Sequence, residues 1–351
     1  MNVLITSAGR RNYLVEYFLH ALGDAGLVIA ADSSPNAPGL YAAQKRIVIP
    51  PANHSDYIPS LLEICRGSEV SLLIPLNDLE LGPLAANREK FTEQGTVVVV
   101  SDSEVVEICS DKLKTFRWLR DNGFASPSTF VRLEDASKAI DEGALKFPLV
   151  VKPRWGSGSI AVCEVHDSRE LHCSHFMTGR SITRSILAEM SSDDTEDRTV
   201  LIQEQISGQE YGLDVINDLS GNYQATVVKR KLGMRGGETD RAEVVLDKAL
   251  EELGAAIGRT LKHIGNLDVD VISDKGGTFS VIEMNPRFGG GYPFSHSAGA
   301  DLPSAILDWR RGSMPPKDIF AVVPGVFGKF DSLLFLREEN PRDQKSRTRA
   351  V

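Results

Sequence analysis

The chain has 351 residues, of which 42% are hydrophobic and 25% charged, and its formal net charge is −9. This length is enough for two or three domains with their own cores. The acidic balance excludes nucleic acid and anionic membrane surfaces as main partners, so any phosphate-binding site must be a local basic pocket. The four cysteines show no paired spacing, and no apolar run approaches the roughly 18 residues of a membrane span. The composition therefore predicts a soluble, cytoplasmic protein.

The first hundred residues alternate short apolar runs with helix-like stretches. The runs that we interpret as strands are Val3–Thr6, Leu27–Ala31, Arg46–Ile49, Ser71–Pro75 and Thr96–Val100. Continuous apolar strands separated by helices indicate a parallel sheet that is covered on both faces. We therefore expect an open α/β domain over residues 1–105.

Beyond about residue 123 the pattern changes to strands joined by glycine-rich turns, with one long helix over Asp247–Gly265. Such a mixture predicts α+β lobes rather than a second parallel sheet. We place one lobe at residues 106–200 and another at 201–336. The polar, acidic segment Ser191–Arg198 is expected to be a surface loop, and residues 337–351 a flexible tail.

A glycine-rich segment follows the apolar run Leu149–Lys152. It contains a literal G-x-G-x-x-A at Gly156, Gly158 and Ala161. A dinucleotide fingerprint needs a helix next, but the following residues, Ile160–Val165, are typical of a strand. The segment is therefore expected to be a hairpin whose loop closes over phosphates with its N–H groups, with Lys152 supplying a cation.

A second polar cluster lies on two later apolar runs. Asp270 lies on the first, and Glu283 and Asn285 lie on the second, followed by Arg287. The turn-rich residues between the runs predict a hairpin, and Glu283 and Asn285, two apart, share one face of a strand. Carboxylate and amide oxygens that face a substrate suit Mg²⁺, and an arginine can hold a phosphate by a forked contact.

These two features, in this order, resemble the ATP-grasp superfamily over nearly the whole chain. The chain is most similar to stand-alone proteins that resemble one half of the carbamoyl phosphate synthase large subunit, and less similar to biotin carboxylase and D-alanine–D-alanine ligase. The resemblance implies an open-sheet α/β domain followed by a two-lobed α+β ATP-grasp domain. It also implies ATP and Mg²⁺ as cofactors, with Mn²⁺ as an alternative metal.

The resemblance assigns roles residue by residue. Nucleotide binding falls to the following residues: Lys112, Lys152, Gly156, Ser157, Gly158, Ser159, Glu204, Gln205, Ile206 and Glu210. In this set the backbone near Glu204 contacts adenine and Glu210 accepts the ribose hydroxyls. The metal ligands are Asp270, Glu283 and Asn285. The groups that act at the γ-phosphate are Arg287, Lys229 and Lys231.

Residues near the ends of several elements are candidates for contacts with the substrate. The segments Thr6–Arg11 and Asn77–Glu80 follow the first and fourth strands, where ligands of open α/β sheets bind. Arginines there favour an anionic substrate. The substrate candidates are Arg10, Asn77, Asp78, Arg235, Glu238, Thr239, Gly290, Gly291 and Tyr292.

The function predicted from these patterns is an ATP-dependent carboxylate–amine ligase, or a ligase using another nucleophile, that acts through an acyl phosphate. Its partners are small-molecule substrates and, for assembly, a second copy in a homodimer. Three alternatives stay open: an enzyme like carbamoyl phosphate synthase that uses bicarbonate, a kinase that releases a phosphorylated product, and a non-catalytic nucleotide sensor. The His/Cys group around His172 fits no zinc spacing and is interpreted as a polar helix surface.

Overall fold

The computed structural model describes residues 1–156, 160–185 and 199–336. Ser157, Gly158 and Ser159 of the expected phosphate loop lie outside these residues, as do the expected surface loop at Ser191–Arg198 and the expected tail at 337–351. Within the described residues the chain forms three β-sheets, and the sheets meet around one cleft.

The first sheet is parallel, with strand order β3-β2-β1-β4-β5. Its strands are β1 (Asn2–Thr6), β2 (Val28–Asp32), β3 (Lys45–Val48), β4 (Val70–Pro75) and β5 (Val97–Val98). Its helices are α1 (Asn12–Leu22), α2 (Pro38–Ala42), α3 (Tyr57–Gly67), α4 (Asp78–Ala86) and α5 (Arg88–Thr92), with a 3₁₀ turn at Gly23–Ala25. All of β2 is buried, because helices cover both faces of the sheet. The predicted open α/β fold of this part is confirmed.

The second sheet has four antiparallel strands in the order β6-β9-β7-β8. They are β6 (Thr129–Phe130), β7 (Leu149–Pro153), β8 (Cys163–Val165) and β9 (Val200–Glu204). Of the four helices in this part, α6 (Ser103–Ser110) and α7 (Lys112–Asp121) pack against the third sheet, whereas α8 (Leu133–Asp141) and α9 (Ser168–Thr183) pack on the second sheet. Because β7 and β8 are antiparallel neighbours, the glycine-rich segment joins the two arms of a hairpin, as predicted.

The third sheet has six antiparallel strands in the order β14-β13-β10-β11-β12-β15. They are β10 (Gly208–Asn217), β11 (Tyr223–Arg235), β12 (Glu238–Val245), β13 (Gly265–Asp274), β14 (Phe279–Asn285) and β15 (Gly325–Gly328). The remaining helices are α10 (Lys248–Leu261), α11 (Tyr292–Ser297) and α12 (Leu302–Arg310). The glycine-containing residues after Lys231 continue the hairpin of β11 and β12.

Helix α10 supports the back of the third sheet. Its first turn is capped by the Asp247 carboxylate, which accepts hydrogen bonds from two backbone N–H groups, and it ends at Lys262 in a left-handed conformation. Leu250 and Ile257 are fully buried and pack with Leu213 and other apolar residues of the sheet. Each buried leucine or isoleucine stabilises this packing by about 2 kcal/mol. The apolar face of the third sheet therefore packs against α10, and its polar face lines the cleft.

Helix α12 returns to the first sheet. Leu302 and Ile306 are fully buried in the same apolar cluster as Leu14 and Phe18 of α1. The boundaries proposed at residues 105, 200 and 336 stay a prediction. In the part of the chain that the structure describes, no helix is both long enough and apolar enough to cross a bilayer.

Candidate active site

The cleft has a volume of about 610 Å³ and is lined by residues of the second and third sheets, by Lys112 of α7 and by Arg11 from the loop after β1. This size is within the range of small-molecule and cofactor sites. Among the predicted site residues, the ones that line it are Lys112, Lys152, Gly156, Glu204, Gln205, Ile206, Glu210, Lys229, Lys231, Glu238, Thr239, Asp270, Glu283, Asn285, Arg287, Gly290 and Gly291. Positions separated by up to 179 residues in sequence, Lys112 and Gly291, are therefore brought together.

The proposed metal ligands lie side by side on β13 and β14. Asp270 is opposite Glu283, and Asp268 is opposite Asn285. Asp268 was not predicted, although its spacing of two from Asp270 places it on the same strand face. Burial, together with the neighbouring Asp270 charge, raises the pKa of Asp268 to about 6.

These oxygens fit a divalent cation. Two carboxylates and an amide oxygen are neighbours on one strand face. No three His, Cys, Asp or Glu groups among the described residues already converge on one point. The set therefore suits Mg²⁺, which binds through one or two carboxylates and keeps waters and substrate oxygens as its other ligands.

Lysines neutralise these carboxylates in the structure. Lys231 Nζ lies 2.7 Å from Asp270, and Lys112 Nζ lies 3.5 Å from Glu283. Burial alone would lower the pKa of Lys231, but the adjacent Asp270 carboxylate raises it above its ordinary value. Lys231 therefore remains charged beside the expected positions of the phosphates.

The start of α7 fixes Lys112. Asp111 caps this helix by accepting hydrogen bonds from two backbone N–H groups, and it also holds Arg154 in a forked ion pair at 2.7 and 2.8 Å. The Lys112 ammonium donates to the carbonyl of Gly156, where the phosphate loop begins. Asp111 and Lys112, which are neighbours in sequence, thus both contact the segment that leads into the phosphate loop.

Lys152 is buried at the centre of β7. Its ammonium donates to Gln203 Oε1 at 2.7 Å, and the Gln203 amide in turn donates to Thr129. Burial, and secondarily the charge of Lys112, lower the pKa of Lys152 to about 8. Gln203 was not predicted, because a glutamine on an apolar strand gives no distinctive sequence signal.

Alternation along β11 separates its three basic side chains. Lys229 is buried and pairs with Asp214, which also accepts hydrogen bonds from Ser295 and Asn266. Arg230 faces the other side and pairs with Glu243. Lys229 and Lys231 therefore lie on one face of the strand and Arg230 on the other.

Arg287 connects the metal strand to the first sheet. Its guanidinium is only 6% exposed and makes a forked ion pair with Asp78 at 2.9 and 3.0 Å, together with a 3.4 Å contact to Asp268. Asp78 is the first residue of α4, where Asn77 and Glu80 form a capping box. Asp78 therefore holds an arginine in the structure, and its substrate role stays a prediction.

The adenine and ribose candidates lie at one end of the cleft. The backbone N–H of Glu204 donates to the Ser128 carbonyl, and the backbone N–H of Ser128 donates to the Glu204 carboxylate. Glu210 is half exposed, 3.9 Å from Lys231. Gln205 and Ile206 also line this end.

The remaining substrate candidates divide into two groups. Glu238, Thr239, Gly290 and Gly291 line the cleft. Arg10 and Arg235 instead pair with Asp331 outside it, Asn77 caps α4, and Tyr292 is fully buried, where its hydroxyl donates to Ala300. The substrate roles of both groups stay predictions.

Two family models match successive parts of the chain. A family model described as an ATP-grasp domain matches residues 109–291, which is more than half of the chain. A second model, described as a PylC-like N-terminal domain, matches residues 3–99. No curated protein matches the chain.

Three solved structures illustrate the fold. The biotin carboxylase–β,γ-ATP complex from Campylobacter jejuni is 18% identical with a TM-score of 0.71, over 92% of this chain and 73% of that one. The Hydrogenobacter thermophilus 2-oxoglutarate carboxylase biotin carboxylase domain dimer, with MgADP and bicarbonate, is 15% identical with a TM-score of 0.68, over 90% and 70%. An L-amino acid ligase from Bacillus licheniformis is 18% identical with a TM-score of 0.62, over 92% and 74%.

At these identities the solved structures show a common fold, with an open-sheet domain followed by two lobes. The family model shows more, because it covers the stretch that carries Lys112, Lys152, Glu283 and Arg287. The prediction of ATP and Mg²⁺ as cofactors is confirmed by it. On this evidence the chain belongs to the ATP-grasp family of ATP-dependent ligases.

Proposed function

We propose that this chain phosphorylates a carboxylate with ATP and joins the resulting acyl phosphate to an amine, releasing ADP and phosphate. The observation that carries the proposal is the convergence of Asp270, Glu283 and Asn285 with Lys231 and Arg287 in one cleft. Acidic metal ligands and fixed cations in one place suit the transfer of a phosphoryl group.

The nucleotide is proposed to lie with its base near Glu204–Ile206 and its phosphates towards β13 and β14. Asp270, Glu283 and Asn285 would hold Mg²⁺, which neutralises charge on the phosphate oxygens. Lys112 and Lys152 would contact the phosphates. A carboxylate oxygen of the substrate then attacks the γ-phosphorus, and the bond from this phosphorus to the β,γ-bridging oxygen breaks.

The second step is proposed to be attack of the amine on the acyl carbon, with phosphate as the leaving group. Among the described residues that line the cleft there is no Ser, Cys or His. This composition supports direct phosphorylation of the substrate rather than an enzyme-bound acyl group. Exclusion of water from the cleft would protect the acyl phosphate.

The bond that breaks can be tested with ¹⁸O-labelled carboxylate. One labelled oxygen is expected in the released phosphate, and hydroxylamine supplied in place of the amine is expected to yield a hydroxamate. AMP and pyrophosphate as products, or unlabelled phosphate during confirmed ligation, would rule the proposal out. ADP formation with bicarbonate alone would instead support the carbamoyl phosphate synthase-like alternative.

A homodimer is a further part of the proposal. It is supported by the dimeric biotin carboxylase domain of similar fold. Light scattering on the purified chain measures its mass in solution, and a monomer at micromolar concentration would contradict this part alone. The cytoplasmic location stays a prediction.

A further inference from the structure

The end of the cleft beside the first sheet carries opposite charges on two walls. Arg11, in the loop after β1, forms one wall, and Glu238, at the start of β12, forms the other. Between them lie Gly290 and Gly291, where a Cβ atom would be only 3.0 Å from the Glu238 carboxyl carbon and 3.3 Å from the Lys229 ammonium, respectively. Because neither glycine has a side chain, a ligand can approach the backbone at both positions.

Arg11 is a cation without a carboxylate partner among the described residues. One nitrogen of its guanidinium donates to two backbone carbonyls, those of Leu76 and Phe288. Every other cation in this part of the cleft is paired, Lys229 with Asp214 and Arg287 with Asp78. Arg11 and Arg287 both contact the Phe288 carbonyl, at 3.3 and 3.5 Å. An anion held by Arg11 would therefore lie beside the proposed phosphoryl-transfer site.

Glu238 offers a carboxylate on the opposite side. Its side chain is 56% exposed, and Oε2 lies 3.3 Å from the Lys329 ammonium. No other partner of this carboxylate occurs in the described ranges, so Oε1 can accept from a ligand. The phenol of Tyr13 lies close enough to Arg11, Glu238 and Arg287 for all three charges to act on it. Burial raises the pKa of Tyr13 to about 12, which keeps it a neutral donor.

We infer that the carboxylate substrate is an α-amino acid, bound as a zwitterion with its carboxylate at Arg11 and its ammonium at Glu238. A guanidinium fits a carboxylate by a forked contact, and a carboxylate oxygen accepts from an ammonium. A substrate with a single charge would leave one of the two walls unmatched. The inference rests on the proposed function, because it assigns the acyl donor of that reaction.

The test uses the full chain and three ligand pools: the common amino acids, their N-acetyl derivatives and their amides. Binding is measured first, as the rise in unfolding temperature in the presence of Mg²⁺ and a non-hydrolysable ATP analogue. The amino acid pool is expected to raise the temperature, whereas the acetylated and amidated pools give little change. Turnover is then measured as ADP release and hydroxamate formation with hydroxylamine.

Two variants with matched controls locate the contacts. Glu238→Gln is expected to reduce the preference for free over N-acetylated amino acids about tenfold, the effect of losing one charged hydrogen bond. Arg11→Gln is expected to raise the KM for amino acids by a similar factor. The exposed substitutions Glu104→Gln and Arg169→Gln, away from the cleft, should leave both values unchanged.

The outcomes test the amino acid site separately from the proposed phosphoryl transfer. Stabilisation by the amino acid pool that Glu238→Gln does not alter, or stronger stabilisation by the acetylated or amidated pool, overturns the inference. ADP release with bicarbonate or simple monocarboxylates but not with amino acids overturns it as well, while the proposed phosphoryl transfer stands. Binding of amino acids without ADP release would support the zwitterion site and count against the proposed function.

Discussion

At the scale of single residues, the cleft depends on charged side chains whose ionisation is set by their neighbours. Lys152 shows this most directly, because it is a buried cation that donates to a neutral glutamine instead of a carboxylate. Burial stabilises the neutral amine, whereas a bound phosphate would stabilise the ammonium. Nucleotide affinity and the ionisation of this lysine are therefore linked.

We predict that the affinity for MgADP falls as the pH rises from 7 to 9. The pKa of Lys152 is about 8 in the free protein, and bound phosphates raise it. The affinity is thus fully present below pH 8 and decreases above it, by at most about tenfold per pH unit, until the pKa of the complex is reached. Titration calorimetry checks this, and Lys152→Arg should flatten the profile. A flat wild-type profile would contradict the linkage.

We predict that Glu283→Gln folds normally but loses Mg²⁺-dependent ADP release by about a hundredfold or more. Its carboxylate is a proposed metal ligand, and the neutral amide removes a charge beside Asp270 and Lys112. Steady-state kinetics and circular dichroism measure the two properties. The matched control is Glu252→Gln on the exposed face of α10, and wild-type turnover by Glu283→Gln would refute the metal assignment.

At the scale of elements, the sequence predicted well which side chains share one face of a strand, and poorly which residues pair across distant elements. The period of two placed Asp270, Glu283 and Asn285 on one face, and the β13–β14 register confirms this. The partner of Arg287 could not be predicted, because Asp78 is 209 residues away and on a helix of another domain.

The start of α4 should therefore matter for turnover, although sequence analysis assigned it to the substrate. We predict that Asp78→Asn lowers kcat by about tenfold or more, with little change in nucleotide affinity, because Arg287 loses the forked ion pair that orients it. Unfolding free energy should fall by about 2 kcal/mol, the value of hydrogen bonds between charged groups. Kinetics and denaturant unfolding test both, with Asp56→Asn at the exposed residue before α3 as the control. An unchanged kcat would show that this ion pair is only structural.

At the scale of the whole molecule, the order of sheets was predictable and their contacts were not. Composition and periodicity predicted a parallel sheet first and antiparallel sheets after it, as observed. They gave no sign that α12 packs into the core beside α1, because contact between such distant segments leaves no local pattern. The contact between Arg11 and the Phe288 carbonyl could not be predicted for the same reason, because the two residues are far apart in sequence.

Because the cleft is lined by the second and third sheets and by Arg11 from the loop after β1, nucleotide binding should stabilise the molecule as a whole. We predict that MgADP at one hundred times its Kd stabilises the chain by about 2.7 kcal/mol in a single calorimetric transition. Chelation of Mg²⁺ with EDTA should remove much of this effect. In Glu283→Gln the addition of Mg²⁺ to ADP should change little. Two separate transitions, with only one shifted by MgADP, would show that the sheets unfold independently.

The pairing of charges in the cleft has a consequence for how ligands arrive. Among its described lining residues, six are basic and six are acidic, and most of the basic ones are already held by carboxylates. With a net charge of −9 on the whole chain, long-range attraction of a polyanion is absent. The rate of nucleotide association should therefore change little with ionic strength, unlike that of a site that attracts its ligand by an open basic surface.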